Sequence, residues 1–263
     1  YEEQGAVYRQ RESGAIYHLY AGRTIPAFAY QEMCNYYLNY DFSIVLTLML
    51  CLYGIIGTFV SERETQMDML MLVSSNGGRK TTLAKILAAT LFLFLTSLWF
   101  SLLDLIGFAA SFQTFEGLAL PVFAIPNFAE ASVNLSIFQY VLLSAALKCA
   151  GTWVIGMLWL LVSMFWKNAL LPFVIDFALC MVLIVSGAVC AYSNFFWTKA
   201  LNPYSLLTNR VLLGKTEFVN LGGFPVLTWQ AAVWISLTAG FVLVTAIYFL
   251  SAENCHRCVG RAK

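Results

Sequence analysis

Five long stretches of this chain carry almost no charge, and nothing else in the sequence restricts its fold so strongly. They are 42–60, 83–112, 136–166, 169–192 and 226–251. The first and last contain no Asp, Glu, Lys or Arg; the third contains only Lys148 and the fourth only Asp176. The second is uncharged from 86 to 103, between Lys85 and Asp104. A helix of about 20 largely apolar residues crosses the roughly 30 Å hydrocarbon core of a bilayer. All five stretches meet that length, and Pro172 falls in a first turn, where proline is tolerated. Alternating apolar and polar decamers, the mark of an outer-membrane barrel, are absent.

Composition agrees. Of the 263 residues 60% are apolar and 11% charged, against about 45–50% and about 25% in soluble domains. The mean hydropathy is +0.74. A soluble globule of this size cannot hide that much apolar surface, which excludes a soluble enzyme, a disordered chain and a nucleic-acid binder. The net charge of +1 excludes a dominant electrostatic partner. The expected fold class is an all-α integral membrane protein with five transmembrane helices.

Lys and Arg in the connecting segments set the orientation. Segment 61–85, the link at Lys167 and the tail 252–263 carry eight basic residues and four acids. The opposite side carries six basic residues and eight acids, and its loop 113–135 has no Lys or Arg. Segments 61–82 and 252–263 are therefore expected in the cytoplasm, and 1–41, 113–135 and 193–225 outside. With five spans this puts the polar segment 1–41 outside, which predicts a further span upstream and six spans in the full protein. Loop 113–135 contains Pro121 and Pro126 and is expected to be irregular or re-entrant. Within 193–225, the apolar run 204–213 is expected to be a short helix on or in the outer leaflet. Residues 27–39 are expected to be helical.

The segment after the first span holds the most information. It reads Ser61-Glu62-Arg63-Glu64-Thr65-Gln66-Met67-Asp68-Met69-Leu70-Met71-Leu72, followed by Gly77-Gly78-Arg79-Lys80. Acids lead, apolar residues follow and a basic turn closes. This pattern predicts an amphipathic helix with Ser61 as N-cap and Glu64 as capping-box partner. The string Gly77-Gly78-Arg79-Lys80-Thr81-Thr82 fails the phosphate-loop spacing, since Arg79 separates Gly78 from Lys80 and no strand precedes it.

The order of span, Ser-Glu-Arg-Glu, short apolar helix, basic turn and span resembles the permease subunits of ABC transporters of the ABC-2 type. The resemblance extends over most of the chain, including the proline-containing loop, the segment Asn134-Leu135-Ser136-Ile137 and the long loop before the last span. It implies that Glu62, Arg63 and Glu64 face a separate ATPase chain or hold the helix at its pivot. Asp68, Leu70 and Met71 would add to the docking surface, and Trp166 and Lys167 would form a second, smaller contact. It further implies a multi-pass protein of the bacterial plasma membrane with six spans and a cytoplasmic coupling helix. The expected partners are two copies of the ATPase and a second permease copy. The chain itself would be no enzyme and bind no cofactor; ATP and Mg would sit in the ATPase. Transport would be export by alternating access, with the path between the first and fourth spans. A path with few charges suits a peptide, lipid or drug of hydrophobic or amphipathic character.

Other readings rest on other residues. Asp104, Lys148 and Asp176 are intramembrane ionisable groups, functional by default, and would serve a proton-coupled secondary transporter. Depth along the helices pairs Lys148 with Asp176. Segments 1–41 and 193–225 would suit an external peptide sensor or immunity protein. Of seven cysteines (34, 51, 149, 180, 190, 255 and 258) four lie in spans, so no disulfide framework is expected. The tail Cys255-His256-Arg257-Cys258 offers one C-x-x-C, too little to predict a metal site. Asn134-Leu135-Ser136 matches a glycosylation acceptor by chance, at the membrane surface.

Overall fold

A computed structural model describes residues 2–25, 32–65, 67, 79–113, 117–166, 168–191 and 196–261. Five of its helices are long and apolar enough to cross a membrane: α3 (Phe42–Glu64), α4 (Arg79–Phe112), α5 (Ile137–Ser163), α6 (Leu170–Ala191) and α10 (Thr228–Arg261). Two helices precede them, α1 (Glu2–Tyr20) and α2 (Glu32–Leu38). Between α6 and α10 lie the short helices α7 (Phe196–Leu201), α8 (Tyr204–Thr208) and α9 (Arg210–Leu213), then the strands β1 (Phe218–Leu221) and β2 (Phe224–Leu227). The chain is thus a multi-pass membrane protein of helical architecture, with one small hairpin among the described residues.

Helix α5 is the centre. From Gly151 to Met157 every residue is buried, whereas α6 and α10 leave wide apolar sides open, including Val182, Val185 and Val189 on α6. A helix apolar all round belongs in a core or in lipid, and α5 takes the core. Small residues let its neighbours come close. A Cβ at Gly156 would strike Leu93 of α4, one at Gly151 would meet α8, and Trp153 lies against Gly240 of α10. Helices α3, α4 and α10 all pack on α5. Ser136 starts α5 with a reciprocal cap: its Oγ accepts from Gln139 N at 3.3 Å, and Gln139 Oε1 accepts from Ser136 N at 3.2 Å.

One end of the bundle carries a packed cap. Residues 117–136 form two 3-10 turns (Val122–Ala124 and Pro126–Phe128). Their Ser132 N–H donates to Leu213 O at 3.0 Å. Phe128, Ile125, Leu206 and Leu213 share one apolar cluster with Met33 and Ile137. Arg23 fastens the segment after α1, donating to Asn134 Oδ1, Ala129 O and Ala131 O at 2.8, 2.9 and 2.7 Å. Asn134, the residue of the glycosylation-like triplet, also donates to Leu19 O at 2.6 Å. Segments 2–25, 117–136 and 196–227 therefore form one assembly at the same end.

Several expectations are corrected. Ser61 is no N-cap: α3 continues through it to Glu64, and its Oγ donates to Gly57 O at 2.6 Å, as a hydroxyl does inside a helix. Propagating an existing helix costs far less than starting a new one, so the apolar span carries its polar end along. The run 204–213 is helical as expected, broken at Asn209 with φ +40°, and most of it is buried within the cap. The hairpin was not expected. Gly222 and Gly223, with φ of +62° and +91°, both take the left-handed conformation that a tight primed turn needs. Helix α1 also lay outside the expectation, and α10 extends through the expected tail to Arg261.

Candidate functional site

Two groups of residues merit a functional reading. The first lies at the end of the bundle away from the cap, where three consecutive residues of α3 reach three different partners. Glu62 pairs with Lys85 of α4, whose ammonium also sits 4.4 Å above the ring of Phe59. Arg63 Nη1 donates to Met164 O and, at 3.1 Å, to Trp166 O, both just past the end of α5. Glu64 Oε1 accepts from the backbone N–H of Ala169, the residue before α6, at 2.8 Å. The last turn of one span is thereby tied to three other elements at this end. Helix C-termini leave carbonyls without partners and helix N-termini leave N–H groups without partners. Arg63 serves the first kind and Glu64 the second, so the Glu-Arg-Glu order matches the ends it meets.

The family resemblance implies that these three residues face an ATPase or hold the helix at its pivot, and that Trp166 belongs to a second, smaller contact. The structure brings Arg63 and Trp166 together through the Trp166 carbonyl. Asp68, Leu70, Met71 and Lys167 lie outside the described residues.

The second group is the intramembrane charges. Asp104 of α4 accepts from Ser43 Oγ of α3 at 2.5 Å. The charge of Lys148 on α5 acts on Asp104 and on Asp41, the residue before α3. Arg210 of α9 completes the row, 3.1 Å from Asp41. Burial raises the Asp41 carboxyl above its ordinary range, while Arg210 and then Lys148 pull it back. Two small cavities flank Lys148. One, of about 20 Å³, is lined by Asp41, Tyr140, Asn209 and Arg210 on the cap side. The other, of about 10 Å³, is lined by Ser43, Thr47, Ser97 and Thr152 together with the apolar Phe100 and Leu207. Both are on the scale of a single water.

Asp176 stands apart, and the expected Lys148–Asp176 pair is corrected. Lys148 looks to Asp104 and Asp41, and both carboxyl oxygens of Asp176 are buried without a hydrogen-bond partner. Counting depth along two helices left out how each is rotated about its axis, which decides where a side chain points. The sequence reading also missed Ser43, Asp41 and Arg210 as members of this group. Arg210 was findable, being the lone charge in the run 204–213.

No family model matches this sequence, and no curated protein matches it significantly. Function therefore has to be argued from the geometry.

Among the described residues no three His, Cys, Asp or Glu side chains come together as metal ligands. The side chains of Cys255, His256 and Cys258 lie outside that description. Cys34, Cys51, Cys149 and Cys180 are buried free thiols.

Proposed function

We propose that this chain is the permease subunit of an ATP-driven ABC exporter of the ABC-2 type. It would work as a pair with two ATPase chains and move a hydrophobic or amphipathic cargo across a bacterial plasma membrane. One observation carries the reading: Glu62, Arg63 and Glu64 bind α4, the end of α5 and the start of α6 from one helical turn. A push on the segment that follows Glu64 then reaches four spans at once. That is what a permease needs if nucleotide closure in a separate chain is to reorient its path. In this reading segment 61–82 is the cytoplasmic coupling element.

The deciding experiment is purification of the protein from its native membrane, followed by reconstitution. A stoichiometric ATPase chain, with transport that requires ATP, supports the proposal. Transport by this chain alone, driven by a pH gradient, overturns it. That outcome would favour the second reading, a proton-coupled secondary transporter, which the row Asp104, Lys148, Asp41 and Arg210 supports.

A further inference from the structure

Helix α6 touches the bundle along a narrow seam. Pro172, Asp176 and Cys180, spaced four apart, are its buried positions, and most of its remaining surface is open. Asp176, at 0% exposure, sits at the middle of that seam. Neither carboxyl oxygen finds a hydrogen-bond partner. The seam faces α3, α5, α7 and α8, and none of their charges serves it. On α3, Glu62, Arg63 and Glu64 are engaged at the helix end. On α5, Lys148 acts on Asp104 and Asp41. On α7, Lys199 pairs with Glu217. The other titratable groups on these helices are the thiols and phenols Cys51, Tyr53, Tyr140, Cys149 and Tyr204, with Cys180 and Cys190 on α6 itself.

A carboxylate left unpaired in an apolar interior gives up its charge by binding a proton rather than remaining ionised. A metal cation would need several oxygen ligands, and among the described residues no group of three His, Cys, Asp or Glu side chains forms there. We propose that Asp176 is a proton-binding site: the neutral acid is the form that holds α6 on the bundle, and loss of the proton drives α6 away. The seam is where a charge is least tolerated and α6 is the most weakly covered span, so the proton acts as a ligand of the docked arrangement. Any ligand that binds one arrangement preferentially stabilises it. The proposal holds whether or not the chain is a permease.

The test uses the purified protein in lipid nanodiscs. Infrared difference spectra between wild type and Asp176→Asn at neutral pH should show a protonated-carboxyl C=O band that is present only in the wild type. The folded acid binds a proton that the unfolded acid, with its ordinary affinity, has released. Stability therefore rises as pH falls through the range above the ordinary carboxyl value. The folding equilibrium should shift by up to about tenfold per pH unit, the value for one proton. Asp176→Asn, of the same shape and without charge, should remove this component, and Asp176→Leu should be at least as stable as wild type. A spectrum without the band, or a pH dependence unchanged in Asp176→Asn, overturns the proposal. So does stabilisation by sodium at constant pH that Asp176→Asn abolishes. If Asp176→Asn fails to fold, Asp176→Leu serves as the reference spectrum for the same band.

Discussion

Glu64 accepts a hydrogen bond from the backbone N–H of Ala169, so a carboxylate at the end of α3 caps the start of α6. A side-chain cap is worth about 1 kcal/mol. Glu64→Ala should free the Ala169 amide, and its hydrogen exchange should quicken by about fivefold, while Glu64→Gln keeps the acceptor and loses less. Unchanged exchange in Glu64→Ala would show that the bond is idle in the membrane.

Arg63 bears on function more directly. Under the proposed permease function, Arg63→Ala and Glu62→Ala should insert and fold but separate ATP hydrolysis from transport in the complex with the ATPase, because motion of α3 would no longer reach α5 or α4. Hydrolysis and cargo movement are measured on the same preparation. Full coupling in both variants removes the three-residue tie from the mechanism.

The charges inside the membrane call for a double-mutant cycle. Lys148→Met should remove the positive charge that acts on Asp104 and Asp41 and lower stability, with Asp104 left to its Ser43 hydrogen bond. Adding Asp104→Asn should recover part of that loss, whereas adding Asp176→Asn should simply sum with it. Recovery with Asp176 and none with Asp104 would reverse the arrangement found here.

The shared end of the cap predicts a labelling pattern. Single cysteines at Arg9 and Lys215, both exposed, should react with an impermeant maleimide from the same side of the membrane, and one at Thr65 from the opposite side. We expect the cap to be external. Gly22 and Gly223 make poorer probes, since their φ of +95° and +91° disfavours any side chain.

Packing at the centre gives a prediction about stability. Trp153 lies against Gly240 where α5 meets α10. Gly240→Val would force the two helices apart, at about 1–3 kcal/mol for overpacking. Thermal unfolding followed by tryptophan fluorescence should show a lower midpoint, and Gly57→Ala, which meets open space, should not.

By itself the sequence determined the five helices long and apolar enough to cross a membrane. The uncharged runs are long enough to span, and no arrangement of neighbours could make such residues soluble. It also singled out Glu62, Arg63 and Glu64 at the end of α3, since Glu-Arg-Glu after an apolar span is an unusual concentration of charge. Only the tertiary structure decided what those residues bind. Ser61 has the chemistry of a cap, yet helix propagation from the span made it an interior residue. Lys148 and Asp176 lie at similar depths, yet helix rotation turned one toward Asp104 and closed the other into an apolar seam. Depth follows from counting residues along one helix; direction depends on how several helices pack, and no single stretch of sequence contains that.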